Sequence, residues 1–147
     1  MTVEELENGI FPAQHLQMAI SDGVIAADYP IEDSQLQPAS LDLRLGTEAW
    51  RVQASFLPGE NISVDNKLAK FGMHRIDLSN GAVLERGCVY IVKLQERLNL
   101  PAGTSAIANP KSSTGRLDIF TRLITDGARE FEFVADGYTG PLYAEIS

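Results

Sequence analysis

"ASLDLRLG", residues 39–46, alternates apolar and polar side chains without a break, with Leu41, Leu43 and Leu45 on one face and Asp42 and Arg44 on the other. A period of two belongs to an extended strand, whose successive side chains point to opposite faces. Working outward, the same short-strand grammar recurs in "EAWRVQ", "HRIDL", "CVYIVKLQ", "TSAIAN" and "PLYAEI", separated by "PGEN", "SNGA", "PAG" and "DGYTG". Asn80-Gly81, between "RIDL" and "AVLE", predicts a hairpin turn. A single helix is predicted in "FPAQHLQMAISDGVI". Pro12 suits its first turn, Leu16 and Ile20 are four apart, and Asp22-Gly23 stops it. His15 on this helix reads as a surface or packing residue. The following "AADYPIEDSQLQPAS" is loop-like, because Pro30 and Pro38 deny a central strand. One early helix followed by many punctuated strands predicts a mostly-β barrel or sandwich.

The 147 residues fit one domain, with residues 1–33 as a helical and loop lead-in. Hydrophobic residues are 44% and charged residues 22%, an ordinary globular composition that can bury a core without disulfides or metals. Cys88 is the single cysteine and cannot form an internal disulfide, so the chain reads as intracellular and cytoplasmic. Within "CVYIV" it reads as a small buried hydrophobe. The acidic start "MTVEELENG" has no basic or apolar signal-peptide region, and no apolar run reaches membrane-spanning length. A net charge of -8 argues against nucleic acid as a partner. A small anion is still accessible to a local gathering of cations, and Lys111, Arg116 and Arg122 form one, opposed only by Asp118.

Several chemistries are excluded by residue type. A zinc-dependent nucleotide deaminase needs a His or Cys ligand, a Cys pair and a nearby Glu. One cysteine and two distant histidines, His15 and His74, do not supply that set, so no zinc is expected. There is no G-x-S-x-G elbow and no G-x-G-x-x-G turn. The run "NPKSSTGRLD", residues 109–118, resembles the end of a P-loop, but Pro110 and Ser105 stand where that loop needs glycines. Lys111, Ser112, Ser113, Thr114 and Arg116 carry the groups that hold phosphate oxygens, and Gly115 lets the backbone approach a ligand. Ser, Thr and Gly equally favour a solvated turn, and residue chemistry alone leaves the two readings open.

Three segments resemble the dCTP deaminase and dUTPase superfamily, in the same order. "QPASLDLRLG" at 37–46 is similar to the family's early strand, and "NPKSSTGRLD" to its central Gly-Arg-Ser-Ser-x-x-Arg-Leu segment. "DGYTGPLYAEI" at 136–146 is similar to Asp-Pro-Gly-Trp-x-Gly followed by a strand bearing a glutamate. With "LNLPAGTSAIA" between them, the resemblance covers most of residues 34–147. The early Arg-Leu-Gly and the late strand glutamate resemble the deaminase branch, in particular the N-terminal unit of the long bacterial form, built of two such units in tandem. The ending "GPLYAEIS", an apolar strand pattern without a following turn, also suggests a chain that continues.

The resemblance implies a dUTPase-like β-barrel (β-clip) with a short N-terminal helix. It implies metal-independent deamination of dCTP to dUTP and ammonia, with two alternatives: a bifunctional enzyme giving dUMP, or a non-catalytic nucleotide-binding repeat. Glu145 is then the general base, on the strand face shared with Tyr143, while Leu142, Ala144 and Ile146 pack the other face. Arg116 orients the water or base, or stabilises the intermediate. Lys111, Ser112, Ser113 and Arg116 hold the triphosphate, with Mg²⁺ bound through the phosphates. Thr125 and Asp126 fall at the pyrimidine pocket. Asp42 is assigned to a buried or interface salt bridge, and Tyr138 to packing or substrate contact. The family also implies a trimer-like homo-oligomer, or a tandem second unit completing the site. Lys111 in place of the usual arginine, and the long acidic link "LITDGAREFEFVADGY", depart from the pattern.

Overall fold

The computed structural model of the protein describes residues 9–111 and 116–147. Helix α1 spans Ala13–Ser21 and follows Pro12, as predicted. It ends where Gly23 takes φ of 78°, a left-handed turn that suits glycine. Strand β1 (Ile25–Ala27) and a 3₁₀ turn (Asp33–Gln35) lead to β2 (Leu45–Val52). Helix α2 (Val64–Phe71) runs into β3 (Gly72–Asp77), and the long β4 is Val89–Asn99. The remainder is β5 (Ala106–Ile107), β6 (Thr121–Thr125), β7 (Phe133–Val134) and β8 (Thr139–Ile146).

The main sheet runs β3-β2-β4-β8-β6, with β1 added along β4, and β5 pairs with β7. Every pairing is antiparallel. The mostly-β expectation therefore holds, with one helix missed. Ser63 caps α2 by accepting the Asn66 N–H at 3.1 Å, with Asp65 in the first turn and Lys70 in the last. Those start and stop signals were present in "SVDNKLAKF", but eight residues offer too little periodicity to stand out. Gly72 joins α2 to β3 because a Cβ there would lie 2.6 Å from the Leu68 carbonyl oxygen.

Both faces of β8 are covered. Tyr143 joins Val52, Ile91 and Ile124 beneath Val64 and Leu68 of α2. Leu142 packs with Leu94, Leu123 and Val134, and Ile146 with Ala49 and Val92. Because β8 lies between β4 and β6, its apolar character needs no edge-strand explanation. Among the described residues no helix is long and apolar enough to cross a membrane.

The opening stretch is arranged opposite to a leucine-inward strand. Leu43 and Leu45 are 38% and 47% exposed, whereas Arg44 turns inward to Glu96, which is fully buried. Glu96 accepts from Arg44 Nε and from the Arg44 main-chain N–H, both at 2.9 Å, and from Gln35 Nε2 at 2.8 Å. Arg44 also donates to the Pro30 and Tyr29 carbonyls. A buried carboxylate demands a cation, and that demand overrides the side-chain alternation. Regular strand begins only at Leu45.

Two smaller expectations also change, and a third, for His15, is met. Asn80-Gly81 does turn, with Gly81 N–H donating to the Leu78 carbonyl at 3.0 Å, but the following residues form no strand. Cys88 is half-exposed rather than buried. His15 is buried in packing, with both ring nitrogens lacking a hydrogen-bond partner.

Candidate active site

Glu145 projects from β8 on the face shared with Tyr143, as the alternation of "PLYAEI" implied, and is only 4% exposed. A lone carboxylate at that burial is costly unless it is paired. The partner is Arg122, directly opposite it across the β6–β8 ladder. Arg122 donates to Glu145 Oε1 from Nη2 at 2.6 Å and from Nε at 3.2 Å. Ser55, on the exposed loop after β2, donates to Oε2 at 2.5 Å. Arg122 Nη2 also donates to Ser55 Oγ at 2.9 Å, which closes the ring. The Arg122 guanidinium lies over the Phe131 ring, 3.8 Å from its centroid.

Phe131 belongs to the long acidic link that sets this chain apart, and the link clamps β6. Glu132 accepts the Leu123 N–H through its side chain at 2.5 Å and donates its own N–H to the Leu123 carbonyl at 3.0 Å. The edge strand is thereby protected from further pairing at Leu123.

Thr125 is buried at the end of β6. Asp126 accepts the Val64 N–H at 2.8 Å, at the start of α2. Burial holds its carboxyl above the usual range, reinforced by nearby Asp65 and opposed by the Val64 bond and Lys93. Its own N–H donates to the Tyr138 oxygen at 3.1 Å, and the Tyr138 hydroxyl donates to the Pro141 carbonyl at 2.6 Å. Burial pushes the Tyr138 phenol up to about 12. The Tyr143 hydroxyl donates to Asp65 at 2.9 Å, and burial followed by that bond raises it as well. These groups form a polar seam joining α2, β6 and β8 beside Glu145.

Of the remaining anticipated residues, Lys111 and Arg116 are described. Lys111 pairs with Asp42 at 2.8 Å, which gives Asp42 the salt-bridge role assigned to it and joins two of the three quoted segments. Arg116 lies exposed in a turn. Among the described residues it makes neither hydrogen bond nor ion pair, and the arginine touching Glu145 is Arg122. Ser112 and Ser113 lie outside the described residues. Sequence reasoning counted Arg122 only as a member of the cation gathering, and missed Ser55 altogether. Ser55 lies 90 residues from Glu145, so only the fold brings them together. For Arg122 the period-two pattern of "TRLIT" was a usable signal. A cavity of about 700 Å³ lies elsewhere, lined by residues that include Lys93, Gln95, Arg97 and Thr139, and by none of the anticipated site residues that are described.

Comparison with known proteins bears on this geometry. Residues 7–147 match the family described as the 2'-deoxycytidine 5'-triphosphate deaminase (DCD) N-terminal domain. A Coprothermobacter proteolyticus protein named "dCTP deaminase, dUMP-forming" is 30% identical over 144 residues, covering 88% of this chain and 70% of that protein. A Sulfurihydrogenibium protein of the same name is 29% identical over 103 residues, covering 69% of this chain and 54% of the relative. The crystal structure of 2'-deoxycytidine 5'-triphosphate deaminase from Agrobacterium tumefaciens superimposes with a TM-score of 0.92 at 56% identity. That match takes in 95% of this chain, which spans 40% of the length of the Agrobacterium chain. The dUTPase-like fold is thus established, and the chain belongs to the 2'-deoxycytidine 5'-triphosphate deaminase family.

Proposed function

We propose that this unit catalyses hydrolytic deamination of dCTP to dUTP and ammonia, with Glu145 as the base. The observation that carries the reading is a carboxylate 4% exposed whose Oε2 is bonded to the hydroxyl of a surface serine. A general base must be dry enough to resist hydration yet within reach of a water. In the reaction, Glu145 takes a proton from water as its oxygen bonds to C4 of the cytosine ring. The proton passes to N3, and a second proton, from the hydroxyl now on C4, passes through Glu145 to the amino group. The C4–N bond breaks, ammonia leaves, and the uracil carbonyl remains.

Arg116 is proposed to steady the charge that develops at C4, or to orient the water. Ser112 and Ser113 are proposed to hold the triphosphate. Lys111 joins them by sharing its charge between a phosphate and Asp42, a flexible ammonium being able to turn between two anions. Mg²⁺ travels on the phosphate oxygens, which are the hard ligands it prefers, and takes no chemical step in this reading. Thr125 and Asp126 are proposed to border the pyrimidine. Burial of Thr125, and the hold of Asp126 on the start of α2, suit a wall better than a mobile contact.

A trimer-like assembly, or a tandem second unit, is proposed to complete the site. Exposed Leu43, Leu45, Ile107, Phe120 and Phe133 support a covering partner. Residues 1–147 are read as one dUTPase-like unit of a longer chain, in keeping with the 40% share of the Agrobacterium chain that it spans. The single cysteine fits a reducing, cytoplasmic setting.

A second reading has its own support: two relatives carry the name "dCTP deaminase, dUMP-forming". In that reading the same site also cleaves the triphosphate. Incubating the full-length protein with dCTP and following ammonia, dUTP, dUMP and pyrophosphate separates the two. Ammonia with dUTP is the expected outcome, dUMP with pyrophosphate supports the second reading, and no ammonia overturns both.

A further inference from the structure

The geometry points to Ser55 and Arg122 as positioning residues that decide which oxygen of Glu145 takes the proton, an inference that rests on Glu145 being the base. An ionised carboxylate offers about four lone-pair sites, two on each oxygen. Oε1 spends both of its sites on Arg122, at 2.6 Å and 3.2 Å. Among the described residues, Oε2 accepts only from Ser55, at 2.5 Å. The open site is therefore on Oε2, on the side of the exposed Ser55 loop, where water and substrate have access.

The direction of the hydrogen bonds is fixed as well. Ser55 has one proton, and its oxygen already accepts from Arg122 Nη2 at 2.9 Å. Its proton is thus committed to Glu145, and the chain runs from Arg122 to Ser55 to Glu145.

Each member is held from behind. Arg122 is fixed by its place opposite Glu145 in the ladder and by the face of Phe131. Ser55 is followed by Phe56 and Leu57, which pack against the core beneath α2. An exposed ion pair alone contributes little. Here one partner is 4% exposed, and the serine bridges both ends of the pair. Such an arrangement sets orientation, which a loose surface pair cannot do.

The test uses the full-length protein and steady-state kinetics with dCTP. Ser55→Ala is expected to lower kcat by up to about 100-fold, the scale of a misplaced catalytic group, while KM stays within about twofold. Ser55→Thr, which restores a hydroxyl, is expected to recover most of that loss. Arg122→Lys keeps the charge but loses the fork, and is expected to lower kcat without raising KM. Wild-type kcat in Ser55→Ala overturns the inference, as does a loss confined to KM. A threonine variant no better than the alanine variant overturns it too, since a packing defect treats both alike. Glu145→Gln is measured in parallel. If it is inactive while Ser55→Ala is normal, only the positioning role fails. If Glu145→Gln still turns over, the assignment of the base itself fails.

Discussion

Two buried glutamates, each paired with an arginine, invite comparison. Glu96 on β4 is sealed. One of its donors is the main-chain N–H of Arg44, and the Arg44 head is anchored by the Tyr29 and Pro30 carbonyls. Among the described residues, Glu145 on β8 depends on side chains alone, one of them on an exposed loop and the other 44% exposed. A main-chain donor stays covered with its segment, whereas the Ser55 hydroxyl and the Arg122 guanidinium belong to residues that face solvent. The same chemical pair therefore staples the lead-in loop to the barrel in one place and holds a carboxylate ready for solvent in the other. Burial and pairing do not by themselves mark a catalytic group. The solvent exposure of the partners separates the two cases.

That contrast breaks if the two carboxylates respond alike to substitution. Glu145→Gln is expected to lower ammonia release by about 10²–10⁴-fold, the usual contribution of a general base, while nucleotide binding and the thermal midpoint are retained. A midpoint that collapses with activity would make Glu145 structural. Glu96→Ala leaves Arg44 and Gln35 without their acceptor, and is expected to cost about 3–5 kcal/mol in urea unfolding. A loss below about 1 kcal/mol, in the range of a surface pair, would show that Glu96 staples nothing.

A smaller effect sharpens the comparison by loosening the helix packed on Tyr143, which shares a strand face with Glu145. Ser63→Ala removes the side-chain cap of α2, and about 1 kcal/mol of stability should go with it. Equal stability of the variant and the parent would mean that Asp126 caps the helix sufficiently alone.

The smallest effect depends on pH. Burial raises the folded-state pKa of Asp126 above its ordinary 3.8. Its protonated form therefore stabilises the fold below the unfolded value, and that stability is lost as pH rises through the folded value. Asp126→Asn keeps an acceptor for the Val64 N–H without the charge. The midpoint difference, variant minus parent, should grow from pH 3 to pH 7, and a flat difference would remove the burial argument.

Much of the barrel was legible because local rules and tertiary needs agree there. "CVYIVKLQ" and "PLYAEI" became β4 and β8, and Glu145 shares a face with Tyr143 as its spacing required. Legibility failed where they conflict. "ASLDLRLG" alternates as a strand, but the buried Glu96 draws Arg44 inward and leaves Leu43 and Leu45 exposed. Strands of two or three residues, β1 and β7, carry too few side chains to show a period, although "TSAIAN" did contain the short β5. "TRLIT" is long enough, but it lay hidden between the serine-rich run and the acidic link.

The sequence alone determined the strand-rich architecture, the early helix and the motif order that places the chain in its family. These depend on periodicity, turn residues and the identity of a few side chains, all of which are local. Only the tertiary structure decided what surrounds Glu145. Ser55 and Glu145 meet across 90 residues, and Arg122 lies beside them rather than with Lys111 and Arg116. No local pattern encodes such a meeting, because it follows from strand order and register, which the whole core selects together. The tertiary structure also decided the separate fates of two similar arginine–glutamate pairs, according to whether main chain or side chain holds them.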